Sequence, residues 1–310
     1  LYHRASISEY DPPLRFFLAI PALLLLLAYP PQASALWSGL AIGAIGAGVY
    51  AAGQTLLDGI PRADGSTNPI QYGNISLLLG ILCLAGIAWS NRQAQCRIWT
   101  GFLCAGALCG IIGALFTGSR GSWIALPACL VLLAVQHRSA GKRLLVGGTI
   151  GVCIVFAVLW LIPQSELRAR MREAIVEAHD YASTGDADSS VGARLEMWRI
   201  GASMLPGHWL LGWGKQGMFD HKAELIQQGK AAAIVKDHTH LHNEYLDALV
   251  KRGLPGLFAV LVLYLTPLLL FCRYLNHPDA VVRDHALAGT LVIMSYLAFG
   301  LTQAFLTHNN

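Results

Sequence analysis

Runs of apolar residues too long for the core of a soluble domain recur along the whole chain. A helix needs about 20 such residues, and no fewer than about 17, to cross the hydrocarbon core of a bilayer. Charged residues make up only 13% of the 310 residues, about half the share of an ordinary soluble domain. The sequence therefore predicts an all-α fold, a polytopic transmembrane helical bundle. Eight spans are expected, at about 14–29, 33–57, 75–89, 100–116, 122–136, 144–162, 254–271 and 286–306.

One long interval, residues 163–253, contains no span. At about 90 residues it is too long for a passive connector, so we expect a loop subdomain with short helices of its own. The predicted organisation is six spans within 1–162, which include the loops 58–74 and 117–121, then the subdomain 163–253, then two spans within 254–310. Inside the subdomain, helices are predicted over 167–181, 189–205 and 238–252, with a glycine-rich turn at 212–217.

The short loops carry basic residues on one side only. Loops 90–99, 136–143 and 272–285 are basic, and the positive-inside rule places such loops on the cytoplasmic side. The alternate loops, including 163–253, then face outward. All seven cysteines lie in predicted spans or cytoplasmic loops, away from an oxidising compartment, so no disulfide is expected. The basic residues are Arg92, Arg97, Arg138, Lys142, Arg143, Arg273 and Arg283.

Two arginines stand out by their position. Arg120 lies in TGSRGS between two apolar segments, where an arginine at membrane depth is costly. It either extends to lipid headgroups or binds an anion, since Gly118 and Gly121 would let the backbone approach a ligand. Arg194 lies near the start of the second predicted helix of the subdomain. It either pairs in solvent with Glu196 or an acidic loop residue, or it binds a phosphate group, because a cation at a helix N-terminus is unfavourable without an anion.

Three alternating histidines, His238, His240 and His242, precede the seventh span. On a strand they would share a face, and on a helix His238 and His242 would, which is compatible with a metal site. No HExxH motif accompanies them, so we expect no metal. We favour one working histidine with two structural neighbours, because an imidazole is the natural general base near neutral pH. Three structural histidines are the alternative.

Tyr72 and the pair Asp186 and Asp188 carry weaker signals. Tyr72 closes an outward loop, NPIQYGN, and either anchors the helix at the membrane interface or contacts a sugar. The two aspartates match the Asp-x-Asp pattern of metal-dependent sugar transferases. Their surroundings, TGDADSS, also have the composition of an ordinary acidic turn, which we favour.

Several motifs together resemble the bacterial O-antigen ligase family and its wider ligase and polymerase superfamily. His242-Asn243, followed after nine residues by Gly253 and after two more by Gly256, resembles the histidine signature of the ligases. TGSRGSW around Arg120, NPIQYGN around Tyr72 and LLGWGKQGMF in the subdomain resemble other segments of the superfamily. The resemblance covers most of residues 58–257. Because the chain has fewer predicted spans than is typical of the family, further spans are expected beyond both of its ends.

The resemblance implies a reaction and a location. The family transfers O-antigen glycan from undecaprenyl diphosphate to lipid A–core oligosaccharide, at the periplasmic face of the bacterial inner membrane. The resemblance also implies that the transfer inverts the anomeric configuration and needs no cofactor or metal. It implies that His242 is the general base and that Arg120 and Arg194 hold the diphosphate. The partners would be these two glycolipids and membrane lipids, and no nucleic acid. Further substrate contacts are implied for Tyr72, Asn243, Lys215, His238 and His240.

Four other functions are alternatives. An O-antigen polymerase or a protein O-oligosaccharyltransferase would share the donor and the arginines and differ in the acceptor, and the histidine signature favours the ligase. A transporter of lipid-linked oligosaccharide would need ionisable residues in mid-span and repeat symmetry, and the sequence shows neither. A scaffold protein would not need outward arginines and a histidine around one loop.

Overall fold

The structure is a computed structural model that describes residues 11–136 and 166–307. These residues contain helices and no strand, which confirms the predicted all-α class. The helices are α1 Asp11–Ala28, α2 Ala33–Leu56, α3 Pro69–Ala85, α4 Ile87–Ser90, α5 Cys96–Phe116, α6 Ala125–Gln136, α7 Glu166–Thr184, α8 Ser190–Ser203, α9 Gly214–Gln227, α10 Glu244–Tyr274 and α11 Ala280–Phe299. Short 3₁₀ turns lie at Arg120–Ile124, Ala233–Val235 and Phe305–Thr307.

Helices of membrane-spanning length account for four of the eight predicted spans. Four in the described part are long and apolar enough to cross a bilayer, namely α2, α3 continued by α4, α5 and α10. Shorter apolar helices cover Phe17–Ala28 and Arg120–Gln136. The predicted span at 144–162 lies outside the described residues. The chain is thus a multi-pass membrane protein.

The last predicted span, 286–306, extends too far. α11 ends at Phe299, and an irregular stretch follows before the final 3₁₀ turn. The Gly300 carbonyl accepts a hydrogen bond of 2.8 Å from the backbone N–H of Glu244. The residues between Phe299 and the final 3₁₀ turn are therefore not helical, because the backbone there bonds to another segment of the chain.

The chain divides into two compact units, which we call the bundle unit and the loop unit. The bundle unit comprises Pro31–Arg170 and Tyr264–Phe299, and the loop unit comprises Met171–Leu263 with the two chain ends, up to Pro30 and from Gly300. α10 thus begins in the loop unit and ends in the bundle unit. The three-segment organisation predicted from the sequence is a different division and stays a prediction.

Small residues let α2, α3 and α5 of the bundle unit pack closely. A Cβ added to Gly110 on α5 would lie 2.6 Å from the Ser76 carbonyl oxygen on α3, and one added to Gly48 on α2 would overlap the Cys109 carbonyl. The Ser76 hydroxyl also donates a 2.9 Å hydrogen bond to the Gly110 carbonyl. Close backbone approach and interhelical hydrogen bonds hold helices together where lipid replaces water.

The loop unit has a hydrophobic core of its own. The Ser189 hydroxyl accepts a hydrogen bond from the Gly192 N–H (3.0 Å) and caps α8. The helix ends at Ser203, ahead of Pro206. The core joins α8, α9 and the start of α10, and its buried members are Ala193, Met197, Ile200, Met204, Met218, Val235, Leu241 and Val250.

Two local predictions for the loop unit are wrong in part. The glycine-rich turn predicted over 212–217 is shorter, because α9 begins at Gly214. The helix predicted over 238–252 begins at Glu244. Residues 238–243 stay irregular because their backbone groups bond to side chains, as described below.

α10 is kinked at Gly253, where the backbone has φ 66° and ψ −161°. Only glycine adopts this conformation readily. A Cβ at this position would also overlap the Leu210 carbonyl. The Leu254 N–H donates to the Trp209 carbonyl (2.9 Å), and the Trp213 N–H donates to the Val250 carbonyl (2.8 Å). The segment 209–213 is therefore bonded to α10 on both sides of the kink.

Gly253→Ala is expected to destabilise the protein strongly. The positive φ and the overlap with the 209–213 segment each oppose a side chain, at a cost of about 1–3 kcal/mol for the backbone strain alone. Thermal unfolding of the purified protein should show a clear drop in midpoint. Gly217→Ala is the matched control, because its Cβ would meet Trp213 at an ordinary 3.6 Å. Equal midpoints for the two variants would contradict the role given to the kink.

Candidate functional site

Residues 238–243, here called the histidine segment, lie directly ahead of α10 in the loop unit. The ring centroids of His240 and His242 are 4.3 Å apart, and those of His238 and His242 are 5.7 Å apart. His240 is buried, and the other two rings are half-buried. The structure thus brings the three predicted histidines into one cluster, with His242 next to both others.

The backbone of His242 is in the left-handed region, with φ 49°. Few residues other than glycine adopt this conformation. Among the other non-glycine residues in the described ranges, Ser66 alone shares it. Strained backbone of this kind persists only where the surroundings hold it, and it is common at functional sites.

Two buried lysines hold the start of the histidine segment. Lys222 on α9 donates from Nζ to the His238 carbonyl (2.6 Å), and Lys251 on α10 donates to the Thr239 carbonyl (3.0 Å). Both residues are 4% exposed. Lys251 also forms an ion pair of 2.8 Å with Asp247. Buried charges with full hydrogen bonding fix the geometry of the groups that they contact.

The middle of the segment is held at Leu241. Its N–H donates to Oδ1 of Asp247 (3.0 Å), and its carbonyl accepts from the indole N–H of Trp198 on α8 (3.0 Å). Asp247 thus joins the segment to Lys251. The histidines sit on a backbone that three helices hold in place, which is the preorganisation that a catalytic group needs.

Asn243 ends the histidine segment and starts α10. Its Oδ1 accepts from the N–H groups of Tyr245 (3.1 Å) and Leu246 (3.0 Å), a typical N-cap. Its Nδ2 donates to the Leu301 carbonyl (3.3 Å). Asn243 therefore fixes the position of the neighbouring His242. The substrate contact predicted for it stays a prediction.

Gln303 is a site residue that the sequence reasoning missed. It is fully buried, its Oε1 lies 3.4 Å from Nε2 of His240, and it also hydrogen-bonds His242. Its segment is anchored to α10, because the Leu306 N–H donates to the Glu244 carboxylate (3.0 Å). The one signal in the sequence is a glutamine within an otherwise apolar stretch, and the span predicted over 286–306 concealed it.

Arg194 on α8 is half-buried, and its charge acts on the His242 ring. Pairing with Glu196 is the alternative to phosphate binding by Arg194, but another arginine, Arg199, binds the Glu196 carboxylate. Glu196 forms two hydrogen bonds with Arg199 (2.7 and 2.8 Å) and accepts another from Tyr181 (2.7 Å). The Arg199 guanidinium, above all, lowers the pKa of Glu196 to about 2. Glu196 is therefore paired with Arg199, and the charge of Arg194 is one of those that act on His242.

The N-terminus of α8 already faces an anion of the protein. The Glu177 carboxylate accepts a 2.9 Å hydrogen bond from the Val191 N–H. The helix end thus already has an anion from the protein itself, and the phosphate expected at Arg194 stays a prediction. The support for a ligand at Arg194 is its location beside His242.

His242 is neutral at physiological pH. Burial above all, together with the charges of His240, Arg194 and His238, lowers the pKa of His242 to about 3. Because the unperturbed pKa is about 6.5, the sequence alone would have predicted titration near neutrality. A neutral imidazole is the form that can accept a proton.

Arg120 lies in the bundle unit, in the 3₁₀ turn between α5 and α6. Gly118 just before it has φ 61°, so the chain reverses sharply there. The Ser122 hydroxyl donates to the Ser119 carbonyl (2.6 Å), and a Cβ on Gly73 of α3 would be 3.1 Å from Ser119. The turn is thus rigid and closely packed against α3, with Arg120 half-buried. Its anion-binding role stays a prediction.

Tyr72 and Lys215 have different surroundings. The Tyr72 hydroxyl donates to the Ala47 carbonyl on α2 (2.7 Å), and Gly65 packs against the ring. This is the contact of a helix anchor in the bundle unit. Lys215 is exposed on the first turn of α9 in the loop unit. The substrate contacts predicted for both stay predictions.

The acidic pair forms the turn that the sequence favoured. Oδ1 of Asp186 accepts from the Asp188 N–H (2.9 Å), a local aspartate turn. Over residues 11–136 and 166–307, no group of three or more His, Cys, Asp or Glu side chains is placed to hold a metal ion.

Comparison with known proteins places these features in a family. The chain is 26% identical over its whole length to an uncharacterised protein of Haemophilus influenzae, of which it covers 78%. It is 21% identical over 61% of its length to an O-antigen ligase of Escherichia coli, of which it spans less than half, 44%. Residues 105–261, which include Arg120, Arg194 and the histidine segment, match the O-antigen ligase family. The chain therefore belongs to the O-antigen ligase family.

Proposed function

We propose that the protein is a glycosyltransferase that moves O-antigen glycan from undecaprenyl diphosphate to lipid A–core oligosaccharide. Membership of the ligase and polymerase superfamily gives the general reaction class. The observation that carries the proposal is a neutral His242 on a fixed backbone beside Arg194. A group of this kind suits the activation of a sugar hydroxyl next to a phosphorylated leaving group.

The proposed chemistry is a single displacement. The acceptor hydroxyl forms a bond to the anomeric carbon of the donor glycan as the bond from that carbon to the diphosphate oxygen breaks. His242 takes the hydroxyl proton, and undecaprenyl diphosphate leaves. Attack opposite to the leaving group inverts the anomeric configuration.

The negative charge on the leaving diphosphate needs compensation. We assign this to Arg194 and Arg120, because a guanidinium stays charged and its forked donors match phosphate oxygens. With two arginines in this role, no metal ion is required. Substrate contacts by Tyr72, Asn243, Lys215, His238 and His240 belong to the same proposal.

Reconstitution of the purified protein tests the function. Donor glycolipid and lipid A–core are supplied together in vesicles with EDTA, and the products are separated by size and by lipid type. We expect glycan-substituted lipid A–core and free undecaprenyl diphosphate. Extension of one donor by another would identify a polymerase, and movement of intact donor between leaflets would identify a transporter. Activity that returns only with added zinc or magnesium would contradict the metal-free chemistry.

The pH dependence of the reaction should reflect the low pKa of His242. A general base works in its neutral form, which is present above its pKa and is lost as pH falls through it. Because the folded-state pKa of His242 is about 3, kcat/KM should show no falling limb centred near pH 6.5, the unperturbed value. Bound diphosphate should raise the pKa in the complex, so the kcat profile should fall at a higher pH. A kcat/KM limb at 6.5 would contradict this environment for His242.

We further propose that the protein lies in the bacterial inner membrane with the loop unit in the periplasm. The basic loops with Arg92, Arg97, Arg273 and Arg283 support this orientation. A membrane-impermeant thiol reagent, added to spheroplasts, should label a cysteine introduced at Gln216, which is exposed on α9. It should leave Cys96 and Cys272 unlabelled until the membrane is opened. The reverse labelling pattern would overturn the orientation.

A further inference from the structure

Residues 208–213 form a closed turn beside the kink in α10. The Gly212 N–H donates to the His208 carbonyl (2.7 Å), and the rings of His208 and Trp213 stack with their centroids 3.8 Å apart. The indole N–H of Trp213 donates to the Met204 carbonyl (2.7 Å), which ties the turn to the C-terminal end of α8. The base of the turn is thus held by its own contacts.

The three residues at the tip of this turn, Trp209, Leu210 and Leu211, are here called the apolar loop. They are 53%, 53% and 47% exposed, although tryptophan and leucine are mostly buried in folded proteins. Exposed apolar patches mark interaction sites. Because the base of the turn is held, the apolar loop is presented in one conformation, and binding has little ordering left to impose on it.

The apolar loop lies at the level where the apolar part of α10 begins. The Leu254 N–H donates to the Trp209 carbonyl (2.9 Å). Arg252 is the last charged residue of α10 before Arg273. A Cβ on Gly212 would lie 2.6 Å from the Arg252 backbone nitrogen, so the turn is packed directly against the helix backbone. The apolar loop is therefore fixed at the boundary between the charged and the uncharged part of α10.

One side of α10 beyond this boundary is open as well. Leu254, Phe258 and Val262 recur at every fourth residue, so they lie on one side of the helix, and all three are exposed. Because α10 is long and apolar enough to cross a bilayer, such a side faces lipid. The side chain of Arg252 is also exposed, and at this level its charge can reach the headgroups. The apolar loop thus lies next to the first residue of a lipid-facing surface.

We infer that the apolar loop inserts into the surface of the bilayer beside α10 and anchors the loop unit there. Tryptophan is enriched where the bilayer meets water, because its ring is apolar and its N–H can reach polar groups. A soluble partner would have to cover the same residues at the depth where α10 enters the hydrocarbon, and lipid already occupies that depth.

Insertion of the apolar loop limits the distance of the histidine segment from the membrane. The part of α10 from Glu244 to the kink at Gly253 is about 14 Å long, at about 1.5 Å per residue. The histidine segment, directly ahead of Glu244, therefore stays close to the headgroup layer, where the diphosphate of a lipid-linked donor lies. This consequence rests on the proposed function, whereas the insertion itself does not.

Fluorescence quenching at three positions tests the insertion. An NBD probe is attached at Leu210→Cys, Phe258→Cys or Gln216→Cys in a folded variant without the seven native cysteines. The protein is reconstituted as single copies in phosphatidylethanolamine–phosphatidylglycerol nanodiscs. Phe258 is the lipid reference, and Gln216, exposed on α9, is the water reference. We expect doxyl groups on the acyl chains to quench the probes at 210 and 258 strongly, and aqueous iodide to quench only the probe at 216 strongly.

The place of the doxyl group on the acyl chain reports the depth. Groups near the headgroup should quench the probe at 210 more than groups near the methyl end, because the apolar loop lies at the hydrocarbon boundary. Equal iodide quenching at 210 and 216 would overturn the inference. Weak quenching at 210 by both agents would show that protein covers the loop, and would overturn it too. Weak doxyl quenching at 258 would show that this side of α10 does not face lipid, which removes the basis of the inference.

Gly212→Ala and Gly207→Ala test the link between the apolar loop and α10. Both glycines have positive φ, 72° and 81°, so alanine strains the backbone at each. Only at Gly212 would the Cβ meet the helix backbone, since nothing lies within 4 Å of a Cβ at Gly207. Iodide should reach the probe at 210 more easily in Gly212→Ala than in Gly207→Ala, and a failure of Gly212→Ala alone to fold would equally support the contact. Equal quenching in the two folded variants would contradict the link.

Transfer assays separate this inference from the proposed function. Leu210→Asp places a charge at the hydrocarbon boundary and should lower the transfer rate in vesicles, whereas Gln216→Asp, at an exposed position, should not. A wild-type rate in folded Leu210→Asp would contradict the role of the apolar loop in positioning the site. Absent transfer by the wild-type protein, together with the expected quenching, would instead refute the proposed function and leave the insertion standing.

Discussion

Replacing His242 with asparagine is expected to lower the transfer rate by about 10²–10⁴-fold, the contribution typical of a general base. Asparagine is the informative substitution because the backbone at this position has φ 49°, which asparagine tolerates better than alanine does. The sugar hydroxyl is a poor nucleophile, and its proton must leave as the new bond forms. With no imidazole to take it, the chemical step slows while donor binding stays close to wild type.

His238→Asn is the matched control for that variant. His238 lies in the same cluster, 5.7 Å from His242 between ring centroids. Its main contact to the rest of the site is through its backbone carbonyl, which Lys222 holds and which the substitution keeps. We expect a smaller loss of rate. If His242→Asn retains wild-type turnover with defined donor and acceptor, or if His238→Asn loses as much, His242 is not the base.

Arg194→Lys and Arg120→Lys are each expected to lower kcat/KM by about 10²–10³-fold, the cost of removing one oriented donor from a developing anion. Lysine keeps the charge and loses the forked geometry that matches a phosphate. The loss should appear in donor binding as well as in rate, because the diphosphate is charged before and after transfer. Radiolabelled donor and single-turnover kinetics separate the two effects.

Arg172→Lys serves as the control for the arginine variants. It is exposed on α7 of the loop unit, and no role at the site is proposed for it. Transfer and donor binding should be unchanged in this variant. Wild-type kinetics in both Arg194→Lys and Arg120→Lys would show that the diphosphate is bound elsewhere.

The helical fold was predictable because long apolar runs have few solutions in a bilayer. Helix limits were less predictable. α11 ends at Phe299 although the apolar composition continues, since the bond between Gly300 and Glu244 depends on a contact between segments distant in the chain. Likewise, the side-chain partners of its backbone keep the histidine segment out of the helix.

The candidate site was predictable where the residue type itself carries chemistry. His242 and Arg194 could be chosen because an imidazole and a guanidinium have few structural uses at such positions. The sequence could not identify the buried residues Lys222, Lys251 and Gln303, because no sequence pattern separates a buried lysine or glutamine from an exposed one. The pKa of His242 was also out of reach, since it depends mainly on burial.

The most direct test measures donor binding and single-turnover transfer in the same purified preparations. Wild-type protein, His242→Asn and Arg194→Lys are each loaded with lipid-linked donor, and lipid A–core is then added. We expect His242→Asn to bind donor like the wild type and to form product at least about 10²-fold more slowly, whereas Arg194→Lys binds donor more weakly. Transfer by His242→Asn at the wild-type rate, from a fully bound donor, would contradict the assignment of the site.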